Sequence, residues 1–142
     1  LLMIWALGSL PMGALSLIPN IFPIAINFGL MGLLDIPLNT GTALVSTVAL
    51  GIAVDDTIHF LTDYLRNRRS SLSVQESVQA SILSKGTGMV ASSLVLVIGF
   101  GVLMLGSFVP TAYFGLLCAV IMVSAILGDI LLLPAILLLK SD

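Results

Sequence analysis

Charge is what this chain has least of. Lys, Arg, Asp and Glu supply 8% of its 142 residues, about a third of the ~25% usual in soluble domains. A water-facing surface cannot be built from so little polar material, and no basic patch is present to hold a nucleic acid. Cysteine is nearly absent too. The single Cys118 excludes an internal disulfide and a cysteine cage for a metal, and its apolar surroundings predict a small buried hydrophobe. The start at Leu1 shows no initiator Met, no basic n-region and no cleavage signal. No secretory signal peptide is read there, and the expectation is a piece of a longer protein.

Hydrocarbon fills the chain instead. Hydrophobic residues make up 58% of it and the mean hydropathy is +1.21, which predicts an all-α polytopic helix bundle in a membrane. The formal net charge of -2 says little, because the few charges are segregated rather than spread over one surface. A spanning helix needs about 20 apolar residues, and runs of that kind lie at 16–34, 41–64, 86–107 and 112–139. Residues 1–12 are apolar but reach only ~18 Å at helical rise, so they read as the tail of a truncated span. Pro19, Asn20 and Pro23 are expected to restrict the first full span to the residues after them, or to bend its start. Polar turns fall at 35–40 and 107–111, and Pro110 and Pro134 read as helix punctuation.

Orientation follows from the basic residues. Arg66, Arg68, Arg69 and Lys85 fall in one stretch and Lys140 at the C-terminus, while the turns at 35–40 and 107–111 carry no Lys or Arg. Short cytoplasmic loops hold the Lys/Arg excess, so the 66–85 loop and the C-terminus are expected on the cytoplasmic side of the inner membrane. Within that loop Ser73 and Glu76 have capping-box spacing, and Val74, Val78 and Ile82 recur every fourth residue. A short amphipathic helix along the interface is expected, with Gly86 and Gly88 turning the chain back into the membrane.

Against this apolar background, Asp55 and Asp56 stand in GTALVSTVALGIAVDDTIHFLTDYL, one turn before the chain's only histidine, His59. A charge at the bilayer centre costs at least ~2.5 kcal/mol on the mildest scale, so an intramembrane ionisable residue marks a functional site. At ~3.6 residues per turn, Thr47, Gly51, Asp55 and His59 form one stripe with Thr62 close by, and Asp56 points about 100° away. A carboxylate and an imidazole four residues apart are placed to exchange a proton. Arg66 lies eleven residues beyond Asp55, or ~16 Å, half the hydrocarbon thickness. Asp129 lies eleven residues before Lys140 on a helix running the same way, so it is expected at the same depth. Ser92 and Ser93 come within about a turn of that level and could bridge the carboxylates. For Asp129 a structural hydrogen bond and a relay role compete evenly. Gly99, Gly101, Ser124 and Gly128 read as surfaces for close helix packing.

These residues resemble a family. GIAVDDTIHF, the capped basic loop, GTGMVASSLVLVIGFGVLML, SFVPTAYFGLL, GDILLLPAILLL and the upstream LIPNIFPIAINFGLMGLLDIPLN look like the second transmembrane half of resistance-nodulation-division (RND) transporters. The nearest branch is that of MMPL-type and hopanoid-exporter-like proteins, related to the sterol-sensing domain. The resemblance implies proton-driven export of lipids or other hydrophobic molecules, with no catalytic activity, cofactor or metal. The spacing makes Asp55, Asp56, His59, Asp129, Ser92 and Ser93 the candidate proton relay, and the resemblance implies that the acids of the Asp-Asp helix meet the equivalent helix of the other transmembrane half. Its partners would be membrane lipids, protons, that other half and a large extracytoplasmic domain. One departure is that LGSLPMGALSL, at 7–17, lacks the basic residues the family places there. Two other readings remain: a non-transporting sterol-sensing-like or protein-secretion module, and an intramembrane aspartyl protease using Asp55 and Asp129. The protease needs Gly-x-Gly-Asp, and here Ile126, Leu127 and Gly128 precede Asp129.

Overall fold

The structure, a computed structural model, describes Met3 and residues 7–139. Its helices are α1 (Leu10–Leu15), α2 (Leu17–Leu33), α3 (Thr40–Arg69), α4 (Val74–Leu103), α5 (Val109–Leu127), a π-helical segment (Gly128–Leu132) and α6 (Leu133–Leu139). Four continuous stretches, Leu10–Leu33, Thr40–Arg69, Val74–Leu103 and Val109–Leu139, are long and apolar enough to cross a membrane. No strand occurs among the described residues, so the architecture is the expected all-α membrane helix bundle. Of the expected truncated span at 1–12, residues 1, 2 and 4–6 lie outside the described residues, as does Lys140, and residues 10–12 belong to the helical stretch Leu10–Leu33 rather than to a separate span.

Helix α1 leads into α2 through a break at the fully buried Ser16, whose hydroxyl donates to Gly13 O at 2.7 Å. The helical span therefore starts six residues before position 16, although the break itself falls there. Pro19 sits in the first turn of α2, where its missing N–H costs nothing, and the helix then runs on through Asn20 and Pro23. The prolines therefore do not end the helix. Asn39 caps α3 by accepting from Thr42 N at 3.0 Å, while Thr42 Oγ1 accepts from Asn39 N at 2.8 Å.

The largest departure from expectation concerns 66–85. It is not a loop carrying an interfacial helix. α3 continues to Arg69, a short turn comes next with Ser71 at φ 66°, and α4 then runs unbroken from Val74 to Leu103. The Ser73/Glu76 capping box forms as the spacing predicts, with Glu76 N donating to Ser73 Oγ at 3.2 Å and Ser73 N to Glu76 Oε2 at 2.8 Å. Gly86 and Gly88 do not turn the chain. Val74, Val78 and Ile82 join a buried cluster with Phe60, Leu61, Tyr64 and Leu65, so this apolar face packs on α3 instead of the membrane interface. That packing offsets the ~1 kcal/mol that a mid-helix glycine costs against alanine. Asn67 ties the two helices by donating from Nδ2 to Ser81 Oγ at 3.1 Å. Each helix has 30 residues, which at ~1.5 Å per residue is ~45 Å, well beyond a ~30 Å hydrocarbon core.

α5 is the hub, packed against α2, α3 and α4. Half of the apolar window of Val109–Leu139 is buried, against 17% for α4, so α4 presents most of its apolar side outward. Leu117, Cys118, Ile121 and Met122 of α5 form a core with Met31, Ile36 and Val45, and Cys118 is the buried small hydrophobe the sequence predicts. Closest approach is not at Gly99 or Gly101, around which an added Cβ would meet nothing within 4 Å. It is at Gly115, where a Cβ would stand 2.5 Å from Phe100 O and 2.9 Å from Leu103 Cβ, and at Gly128, 3.1 Å from Pro19 O. Pro110 opens α5 as expected, but Pro134 does not end a helix. It lacks the N–H that would reach back to Ile130, and the preceding turn widens into the π segment, with Leu133 N donating to Gly128 O across five residues.

Gly115→Ala should lower the thermal unfolding midpoint of the detergent-solubilised protein, since overpacking typically costs about 1–3 kcal/mol. Gly99→Ala, in open space, should leave the midpoint unchanged or raise it. Equal midpoints for the two variants would place the α4–α5 contact elsewhere.

Candidate functional site

Three consecutive residues of α3 divide the site, because each step turns the side chain by about 100°. Asp55 points out of the bundle with His59: their side chains are 71% and 64% exposed, and His59 Nε2 stands 3.6 Å from Asp55 Oδ1. Thr47, Gly51 and Thr62 are exposed along the same stripe. Asp56 is half-buried and turned toward α4, where it lines a cleft of about 240 Å³ with His59, Lys85, Gly88, Met89 and Ser92. Thr57 is fully buried and points at the π segment.

There the sequence missed a partner. Asp129 is 2% exposed, and Thr57 Oγ1 donates to Asp129 Oδ1 at 2.6 Å, a charge-assisted length. The same hydroxyl lies 3.1 Å from Ala53 O. These two acceptors suit both charge states of the acid. With Asp129 ionised, Thr57 donates to it. With Asp129 protonated, the carboxyl can donate to Thr57 Oγ1 while the Thr57 hydrogen turns to Ala53 O. The bond sets Asp129 within two residues of the Asp pair along α3, ~3 Å at helical rise, and brings Asp56 within its electrostatic reach.

The serines do not bridge this arrangement. Ser92 Oγ donates to Met89 O at 3.0 Å on the cleft side of α4. Ser93, 7% exposed, lies among Val90, Val97, Val123, Ile126 and Ile130 between α4 and α5. Thr57 occupies the place expected for them, because at this level α3 meets Asp129 whereas α4 meets Ile130 of the π segment. Nor does the structure bring Asp55 and Asp129 together: Asp55 points about 200° from Thr57 around α3, so no aspartyl dyad is formed. Thr57 carried a readable signal. It falls in the stripe Ala53, Thr57, Phe60, Leu61 and Tyr64, all buried, whose spacing marks the inward face of α3. Lys85, read as a loop residue, proves to be a helical residue lining the acid cleft. Asn27, fully buried on α2, has neither side-chain polar atom paired among the described residues, a cost for which the helix packing offers no compensation.

The chain is 29% identical over 127 residues to a protein of Methanocaldococcus jannaschii named "Putative membrane protein MJ1562", a match covering 89% of this chain and 33% of that protein. The chain thus spans about one third of the length of the curated relative it matches. No established family profile and no solved structure matches it. Four apolar helices of spanning length and this likeness make the chain a membrane protein.

Thr57→Val should destabilise the protein by about 1–3 kcal/mol, the cost of a buried acceptor left unpaired, whereas Thr57→Ser should not. Unfolding of the purified protein in detergent measures this. In an Asp129→Ala background the same Thr57→Val change should cost far less, and an equal loss in both backgrounds would show that the bond contributes nothing.

Proposed function

We propose that this chain is the transmembrane part of a proton-motive-force-driven exporter of the RND type, which moves lipids or other hydrophobic molecules. The observation that carries the reading is the set of three acids at one level on two helices, Asp55, Asp56 and Asp129. One of them is held by a hydroxyl that can serve both of its protonation states. Such a group stabilises the fold whether or not the proton is present, which is what a relay that loads and unloads requires. Asp55 and His59 complete the relay on the open side. Ser92 belongs with Asp56 in the cleft, and Ser93, packed among apolar residues, has no part in it.

The exposure of Asp55 and His59 supports a second set of helices. An ionised carboxylate facing lipid at mid-span is too costly to keep, so the Thr47–Thr62 stripe calls for protein or water against it. The other transmembrane half of the intact exporter would supply this cover. A lipidic cargo agrees with the clefts of about 310 and 590 Å³ that share Val90, Leu94 and Ile130 on the outer side of α4, since both are apolar enough to take an acyl chain. The basic residues at the α3–α4 turn support an orientation with that end of the bundle toward the cytoplasm and the 104–108 turn outside.

In the intact protein Asp55→Asn should abolish export while expression and membrane insertion stay normal, and transport surviving under a defined proton gradient would remove Asp55 from the mechanism. Asp129→Ala should reduce coupled transport more than Cys118→Ala does. Equal effects would return Asp129 to a structural role. For the topology, Ser71→Cys and Ser107→Cys in a Cys118→Ala background should differ in intact cells: a membrane-impermeant thiol reagent should label only position 107. Labelling at position 71 from outside would reverse the orientation.

A further inference from the structure

The cleft between α3 and α4 has a direction. Its walls are Asp56 and His59 from α3, and Lys85, Gly88, Met89 and Ser92 from α4. The two helices are antiparallel neighbours, and Asn67 bonded to Ser81 sets their register. Moving toward the basic end, the lining passes from Asp56 and Ser92, through His59 and Met89, to Lys85. The seven residues from Ser92 to Lys85 span ~10 Å at helical rise. A volume of about 240 Å³ exceeds several times over the ~30 Å³ share of one liquid water, and the carboxylate, imidazole, hydroxyl and ammonium provide partners along it.

We infer that this cleft is a water-filled passage carrying protons between Asp56 and the basic end of the bundle, and that Lys85 is the positioning charge at its mouth. The inference rests on the proton-driven reading and adds to it the exit and the residue that governs release. In the step itself, the protonated Asp56 carboxyl gives its proton to a water in the cleft, the carboxylate remains, and the excess proton passes along the water chain, with His59 beside it, to bulk solvent. Lys85 acts by charge: a fixed cation near the passage favours the carboxylate left behind and disfavours the return of a proton. The other ionisable groups around it are Asp55 on the outward stripe of α3, Asp63 one turn further along and accepting from Asn67 Nδ2 at 3.4 Å, and Asp129 on the π segment. Among the described residues Lys85 is within salt-bridge distance of none of them, so its charge is free to act on the passage as a whole.

Gly88 makes the idea testable, because an added Cβ there would meet nothing within 4 Å and a larger side chain can fill the cleft without displacing a helix. In the intact protein reconstituted in liposomes, Gly88→Leu should slow gradient-driven proton movement by about tenfold, equivalent to about 1.4 kcal/mol of barrier. Gly99→Leu, equally open but remote from the cleft, should match the parent. Lys85→Met should displace the pH profile of proton flux toward higher pH, and Lys85→Arg should restore it. Gly88→Cys in a Cys118→Ala background should react with a small hydrophilic thiol reagent applied from the basic side, a readout that needs no transport. If the parent moves protons but Gly88→Leu and the Lys85 variants behave like it, or if Gly88→Cys is unreactive, the passage is overturned while the proton-driven reading stands. If Gly88→Cys reacts but the parent moves no protons, the proton-driven reading fails and takes the proton role of the cleft with it.

Discussion

The turn that widens before Pro134 is the constraint on which the polar interior depends. Proline removes one hydrogen-bond donor and crowds the carbonyl four residues back, so the last span passes through a π segment at 128–132. The segment begins at Gly128, close against Pro19 of α2, and carries Asp129 on the side facing Thr57 of α3. Three helices thus meet at one point, each contributing a residue chosen for shape or hydrogen bonding. A side chain larger than glycine at 128 would press α2 away, and an apolar residue at 57 would leave the carboxyl without a donor.

α3 distributes its polar residues by angle. Asp55 and His59 look outward, Asp56 looks along the seam with α4, and Thr57 looks inward, although all lie within about one and a half turns. The consequence is a site with three environments at one depth: an open face, a cleft lined by an acid and a lysine, and a closed interior. Among the described residues no side chain packs over the open face, and in the closed interior the Thr57 hydroxyl is shared between Asp129 and Ala53 O. Proton chemistry at such a site depends on how the neighbouring helices move, since the helix that carries the acids also forms the wall between their surroundings.

The remaining surface is consistent with life in lipid. Val95, Ile98, Val102 and Leu105 of α4 and the turn after it are 60–86% exposed, as expected of an outer helix whose partner is acyl chain. α5, by contrast, is more deeply buried than α4, and its glycine at 115 brings α4 close where van der Waals contact, rather than exclusion of water, holds membrane helices together.

Much of this was legible in the residues alone, and what was legible is what depends on length, hydropathy and spacing. The membrane class, the approximate spans, the capping box at Ser73 and Glu76, the burial of Cys118 and the common level of Asp129 with the Asp pair all come from counting along one chain. The angular questions were not legible. A 3.6-residue period gives the angle between Asp55, Asp56 and Thr57, but not which of them points inward; that phase is chosen by the neighbour, and the neighbour here is the π segment. Gly86 and Gly88 could break a helix or continue one, and the burial of Val74, Val78 and Ile82 against α3 decided for continuation. With that continuation Lys85 left the loop in which its charge had placed it and became part of the wall of the acid cleft. Local chemistry set what each residue can do, and only the packing of helices distant in sequence decided where each could do it, because the energy that selects a helix's rotation comes from the surface it buries against others.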